Sequence, residues 1–168
     1  MTGVQTCALP ILWVLLGFGP DGGEFAGDVQ VRVRFYKNDG PLSSSGYPTP
    51  GTVLFDSGLF PIPATPRATV LFSGEDFAAG ALVPLMAPVP GAFTWTVQFS
   101  GRAPGDHAGV DIYSPPTVGG NYTDYWERDG GEWELKTNAA ASMDFAARVT
   151  ALSRDVSVTV ERRSSSAT

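Results

Sequence analysis

The segment VQVRVRFY sets Val29, Val31, Val33 and Phe35 against Gln30, Arg32, Arg34 and Tyr36, an apolar–polar alternation with a period of two. Successive strand residues point to opposite faces, so the pattern predicts a β-strand with one buried face and one wet face, as on an antiparallel sheet packed on one side. FTWTVQF repeats it, with Phe93, Trp95, Val97 and Phe99 against Thr94, Thr96 and Gln98. EWELKT turns Trp133 and Leu135 inward. MDFAARVTA does so with Met143, Phe145, Ala147 and Val149, and DVSVTVER with Val156, Val158 and Val160. Shorter apolar runs, LWVLLGF, TVLFDSG, ATVLFS, GALVPLM and AGVDIY, add weaker strands. Pro84 confines GALVPLM to an edge or a bulge, because proline cannot donate to a ladder.

Between these runs lie PDGGE, KNDGP, PLSSSGYPTPG, SGRAPGD and ERDGGE, rich in residues that supply positive φ, fixed φ or side-chain bonds to the backbone. In ERDGGE the pair Asp129–Gly130 is a hairpin signal, since a type I′ turn needs positive φ at both central positions; YTDYWE and EWELKT are expected to pair across it. No stretch sustains a 3.6-residue period. GEDFAAGALV has room for one short helical turn, and NAAASMDFAAR, despite its alanines, fits a strand better. The predicted fold class is all-β: an antiparallel β-sandwich, jelly-roll-like, of about nine or ten short strands.

The first eleven residues, MTGVQTCALPI, stand apart. They carry no charge, so they lack the basic start of a secretory signal, and the apolar run Ile11 to Leu16 is far short of a membrane span. All eleven positions resemble the translation of a common short-read sequencing adapter read from a GTG start. Residues 1–11 are therefore expected to be non-biological and to fall outside the fold, with a single β-sandwich domain at 12–161 and a flexible tail or truncated linker at 162–168. The only cysteine, Cys7, goes with the first segment, leaving no thiol, disulfide or thiolate metal ligand in the rest. On this reading the true N-terminus, and any export signal with it, is missing.

Composition narrows the function classes. Charged residues make up 17%, below the usual share of about 25%, while 20 Gly and 14 Pro supply turns. A net charge of -6 argues against nucleic acid, where clustered Lys and Arg supply most of the affinity. A chain of about 150 residues buries ~70% of its unfolded surface, enough for a core without staples.

The motifs VRFYKNDGP, PGTVLFDSG, AFTWTVQFSG, DYWERDGGEWELKTN and DFAARVTA, spanning Val29 to Ala151, resemble a group of secreted bacterial β-sandwich proteins common in planctomycetes and verrucomicrobia. Those proteins often end in a PEP-CTERM-type sorting anchor. The resemblance implies an extracellular or cell-envelope location and carries no catalytic residues with it. The closing VTVERRSSSAT departs from the group in having neither the Pro-Glu-Pro element nor a membrane span.

Candidate chemistry is sparse. His107 is the only histidine, which removes His-rich metal sites, and no G-x-S-x-G elbow accompanies it. In PGDHAG it reads as an exposed loop residue. Glu132 and Glu134 lie about 6 to 7 Å apart on one strand face, near a glycosidase acid–base separation, but they project in parallel instead of flanking a bond from two sides. No cofactor is expected and no metal ligand is assigned. Calcium remains open through Asp21, Glu24 and Asp28, or Asn38 and Asp39, because hard oxygen donors suit it, although neither loop has EF-hand spacing.

The best binding signal is NYTDYW. It sets Tyr122, Tyr125 and Trp126 beside Asn121 and Asp124, flat rings with polar neighbours of the kind that take a sugar. The bland reading is that Tyr125 and Trp126 only close the end of the core. Tyr47 and Tyr113 add further candidate exposed rings. The expectation is a non-enzymatic, exported cell-surface or extracellular domain in an adhesive or structural role. The alternative is a carbohydrate-binding module using the Tyr/Trp cluster, with an enzyme third. Expected partners are extracellular polysaccharide or other surface proteins, without nucleic acid and without a membrane span.

Overall fold

The structure, a computed structural model, describes residues 6–65, 68–72, 87–112, 123–138 and 145–153. The chain is all-β, and its strands pair antiparallel. Among the described residues there are eleven: β1 Thr6–Phe18, β2 Gln30–Lys37, β3 Val53–Asp56, β4 Phe60–Pro61, β5 Ala68–Phe72, β6 Ala87–Val89, β7 Phe93–Ser100, β8 His107–Val110, β9 Asp124–Asp129, β10 Glu132–Thr137 and β11 Ala147–Ser153. Among the described residues the one helical element is a 3-10 turn at Pro20–Gly22. DVSVTVER, GALVPLM and GEDFAAGALV lie outside the described residues, except that β6 begins just after the second, as do Met143 and Tyr113. No helix among the described residues is long and apolar enough to cross a membrane.

β2 is the centre of one sheet. It pairs with β7 along its whole length, from Gln30 opposite Ser100 to Lys37 opposite Phe93. Along its other edge it meets first β4, at Gln30 and Val31, and then β3, at Arg34 to Tyr36. This is the strand whose alternation is strongest, and the pattern holds on the apolar side: Val31, Val33 and Phe35 are fully buried.

β1 organises the second sheet. Thr6–Ala8 pair with both β11 and β6, Ile11–Trp13 with both β11 and β5, and Leu15 with both β5 and β8. β11 and then β8 therefore run along one edge of β1, and β6 and then β5 along the other. The boundary expected at Leu12 thus falls inside β1. Between Ala8 and Ile11 the register shifts, β1 carrying one residue more than β11, and Pro10 sits in that bulge, where a missing N–H is tolerated. Ladder bonds are made by the backbone and are open to any extended segment. The pairing of Thr6–Ile11 therefore does not bear on the origin of residues 1–11.

The two sheets contribute to a single core. Leu15 and Val89 from the β1 sheet cluster with Val29, Val31, Val33, Phe35, Phe55 and Ile62, and Phe93, Trp95, Val97, Phe99, Ala108 and Val110 pack against them half-buried. Phe35 sits at the middle, its ring centroid 5.3 Å from Phe55 and 5.2 Å from Phe93. On β7 the expected contrast is blunted. Thr94 and Thr96 are as half-buried as Phe93 and Trp95, because something covers the outer face as well.

That cover is the hairpin β9–β10. Glu132 pairs with Asp129 and Thr137 with Asp124, so the two-residue loop is Gly130–Gly131 and not the Asp129–Gly130 pair read from the sequence. Both loop residues have positive φ, 58° and 98°, as a type I′ turn requires. Two glycines meet that demand with less strain than Asp followed by Gly, and this moves the turn by one position.

Candidate functional site

Residues directly opposite one another in a ladder share a face. On β2 and β7 the outer face therefore carries Arg32 beside Gln98, Arg34 beside Thr96 and Tyr36 beside Thr94. On the hairpin the same rule groups Trp126 with Leu135 and Arg128 with Trp133. These two faces meet. The Trp133 ring stands edge-on to Tyr36 at 5.6 Å, which explains why Tyr36, on the polar side of its strand, is only 4% exposed.

Between them lies a groove of about 1080 Å³. Arg32, Arg34, Thr94, Thr96 and Gln98 form its floor, and Trp126, Arg128 and Trp133 one wall. At the β7 edge it continues past Trp95 to Tyr125 and Phe145, with Arg102 from the β7–β8 connection also lining it. Phe145 holds this end together, its ring edge-on to Trp95 at 6.0 Å and to Tyr125 at 5.7 Å.

The floor is fixed by one carboxylate. Asp56, at the end of β3, accepts from Arg32 Nε at 2.6 Å and from Arg32 Nη2, and from Arg34 Nε at 2.9 Å. Burial disfavours its charge, but the hydrogen bonds from Arg32, Arg34 and the Gly58 N–H outweigh that cost and hold it well below the usual carboxylate range. Arg34 Nη1 also reaches Gln98 Oε1 at 3.3 Å and the Tyr36 hydroxyl at 3.4 Å. On the wall, Arg128 donates from Nε to the Gly131 carbonyl at 3.2 Å, and its Cζ lies 5.3 Å from the Trp133 ring centroid, a cation–π arrangement.

Of the residues singled out from the sequence, Asp124, Tyr125 and Trp126 line this groove. They sit on strand β9 and not in a loop, so alternation sends Tyr125 toward Phe145 while Trp126 shares the Arg128 face. Asp124 accepts from the Thr123 hydroxyl at 3.0 Å. Asn121 and Tyr122 lie outside the described residues. The sequence reading missed Arg32, Arg34, Arg128 and Trp133. β2 carried no strong signal for Arg32 and Arg34, since Gln30, Arg32, Arg34 and Tyr36 are an ordinary set for the wet face of a strand.

The other candidates stand elsewhere. His107 is exposed, but it opens β8 instead of lying in a turn, and its ring centroid is 5.0 Å from Phe18. Glu132 and Glu134 are on the hairpin's other face, where Glu134 pairs with Lys136 at 2.7 Å. Asp28 accepts from Gln30 and Asp39 from Thr52, while Asn38 accepts from the Thr94 hydroxyl. Among the described residues no three His, Cys, Asp or Glu side chains converge. Tyr47 is exposed in the β2–β3 connection and does not line the groove.

Compared with known proteins, the chain matches no family model, no curated protein and no solved structure, so the groove is read from its own residues.

Proposed function

We propose that this chain is a non-enzymatic carbohydrate-binding domain, a jelly-roll-like β-sandwich exported to the cell surface or extracellular matrix, where glycan capture gives it an adhesive role. The observation that carries the reading is the pairing, in one open groove, of indole faces (Trp126 and Trp133) with a fixed set of side-chain donors and acceptors (Arg32, Arg34, Gln98, Thr94 and Thr96). Sugars present apolar C–H faces and a rim of hydroxyls, and a site that takes them needs flat apolar area next to hydrogen-bonding groups already held in place. Asp56 supplies the holding. It orients two guanidiniums before any ligand arrives, so less side-chain entropy is lost on binding.

Polysaccharide pull-down and glycan-array binding test the reading, with Trp126→Ala and Trp133→Ala as controls whose folding is checked by near-ultraviolet circular dichroism. Binding by the parent chain and its loss in both folded variants supports a glycan site; the absence of binding to any glycan removes it. The second reading, a structural domain contacting other surface proteins, is favoured by the exposed apolar side chains Leu42, Tyr47 and Val53 at and before β3. It gains if glycans fail.

A further inference from the structure

We infer that the groove selects acidic glycans, those carrying carboxylate or sulfate groups, over neutral ones; the inference rests on the carbohydrate reading above. The chain has a net charge of -6, yet four of its 11 basic residues, Arg32, Arg34, Arg102 and Arg128, line this one groove. Arg32 and Arg34 share a single carboxylate, Asp56, so the floor keeps one guanidinium charge in excess. The further contacts of Arg34, to Gln98 and Tyr36, are to neutral groups and long.

Among the described residues neither Arg102 nor Arg128 forms an ion pair with a carboxylate. Arg128 is instead laid over Trp133 and anchored through Nε, which leaves its two terminal nitrogens for a partner. A guanidinium fork held against an indole matches a planar carboxylate or a sulfate bidentately, beside a ring that takes the sugar face. Three carboxylates, Asp124, Glu127 and Asp129, line the same groove. Glu127 and Asp129 belong to the ladder face opposite that of Arg128, where Glu127 lies 3.8 Å from Lys136. Asp124 lines the groove at the far end of β9, bonded to Thr123. Because the molecule as a whole is acidic, its long-range field repels a polyanion, and attraction has to come from this local set.

Isothermal titration of the full chain against polygalacturonate, its methyl-esterified form, dextran and dextran sulfate tests the inference. The expected result is binding of at least one acidic polymer about tenfold or more tighter than its neutral counterpart. Arg128→Gln then loses about tenfold on the acidic polymer and little on the neutral one, while Arg128→Lys, which keeps charge but not the fork, falls between. Arg102→Gln provides a second variant if Arg128→Gln melts early. Preference for polygalacturonate alone assigns carboxylate, for dextran sulfate alone sulfate, and for both the shared chemistry. Equal or tighter binding of the neutral forms overturns the inference and leaves the carbohydrate reading standing. Binding to none of the four, together with a blank glycan array, removes both.

Discussion

Two carboxylates hold this molecule together by different means. Asp106 is buried at 7% exposure and accepts backbone N–H groups from Ala26 at 2.8 Å, Gly27 at 2.9 Å and Ala103 at 2.8 Å, tying the β1–β2 connection to the β7–β8 connection. Burial opposes its charge, but the three N–H donors prevail and its pKa is lowered. Asparagine keeps the shape but presents an amide where one N–H needs an acceptor. Asp106→Asn is therefore expected to lower the melting temperature clearly more than Asp129→Asn at the exposed hairpin end, and differential scanning calorimetry compares them. Both Asp106 and Asp56 have folded-state pKa values depressed below the unfolded value. The stability they contribute is present above about pH 4, where the unfolded chain is also ionised, and drains away as pH falls toward their folded values. Urea midpoints should accordingly be flat near neutrality and fall below about pH 4. In Asp56→Asn that acid-side slope should shrink; an unchanged slope would show that Asp56 contributes nothing to it.

At the scale of elements, what was legible in the sequence followed from how locally each feature is determined. β2 and β7 were readable because one face meets the core, and an alternation of Val and Phe with Arg or Thr records that directly. β10 was readable from Trp133 and Leu135 alternating with Glu132, Glu134 and Lys136, although that apolar face turns toward the outer side of β2 and not into the core. β1 was readable as a strand but not in extent, since its N-terminal part is fixed by ladder bonds to β6 and β11, which leave no mark on residue type. The hairpin was legible while its turn slipped by one residue, because Asp-Gly and Gly-Gly both satisfy a type I′ turn and only the register chooses. Tyr125 and Trp126 drew notice as rings beside a hairpin. Arg32 and Arg34 did not, because on a single strand they are ordinary solvent-facing residues; they become a site only when a hairpin distant in sequence folds across them. The turn is accordingly a lever on the site. Gly131 has φ of 98° with open space around it, so Gly131→Ala meets backbone strain but no clash. The substitution should cost about 1 kcal/mol, most of it in the hairpin, and weaken ligand binding by more than it shifts the global urea midpoint. Hydrogen exchange at Trp126 to Leu135, faster in the variant while β2 amides are unaffected, would localise the change.

Across the whole molecule, β2 has two jobs on two faces. Its inner face, Val31, Val33 and Phe35, closes the core shared by both sheets, and its outer face, Arg32, Arg34 and Tyr36, is the floor of the groove. The two should separate in mutants. Phe35→Ala empties the centre of the core and is expected to cost about 3–5 kcal/mol, a large part of the ~5–15 kcal/mol that holds a domain together. Trp133→Ala removes a half-buried ring from the hairpin and its edge-on contact with Tyr36, an interaction of about 0.5–1.5 kcal/mol beyond area burial, so it should shift the urea midpoint only modestly while abolishing ligand binding. Because the floor is held by Asp56 and by the β2–β7 ladder and not by the Phe35 ring, Phe35→Ala should weaken binding only in proportion to the unfolded fraction. A folded Phe35→Ala protein that binds poorly, or a Trp133→Ala protein that unfolds, would mean that floor and core are one cooperative unit and not two faces with separable roles.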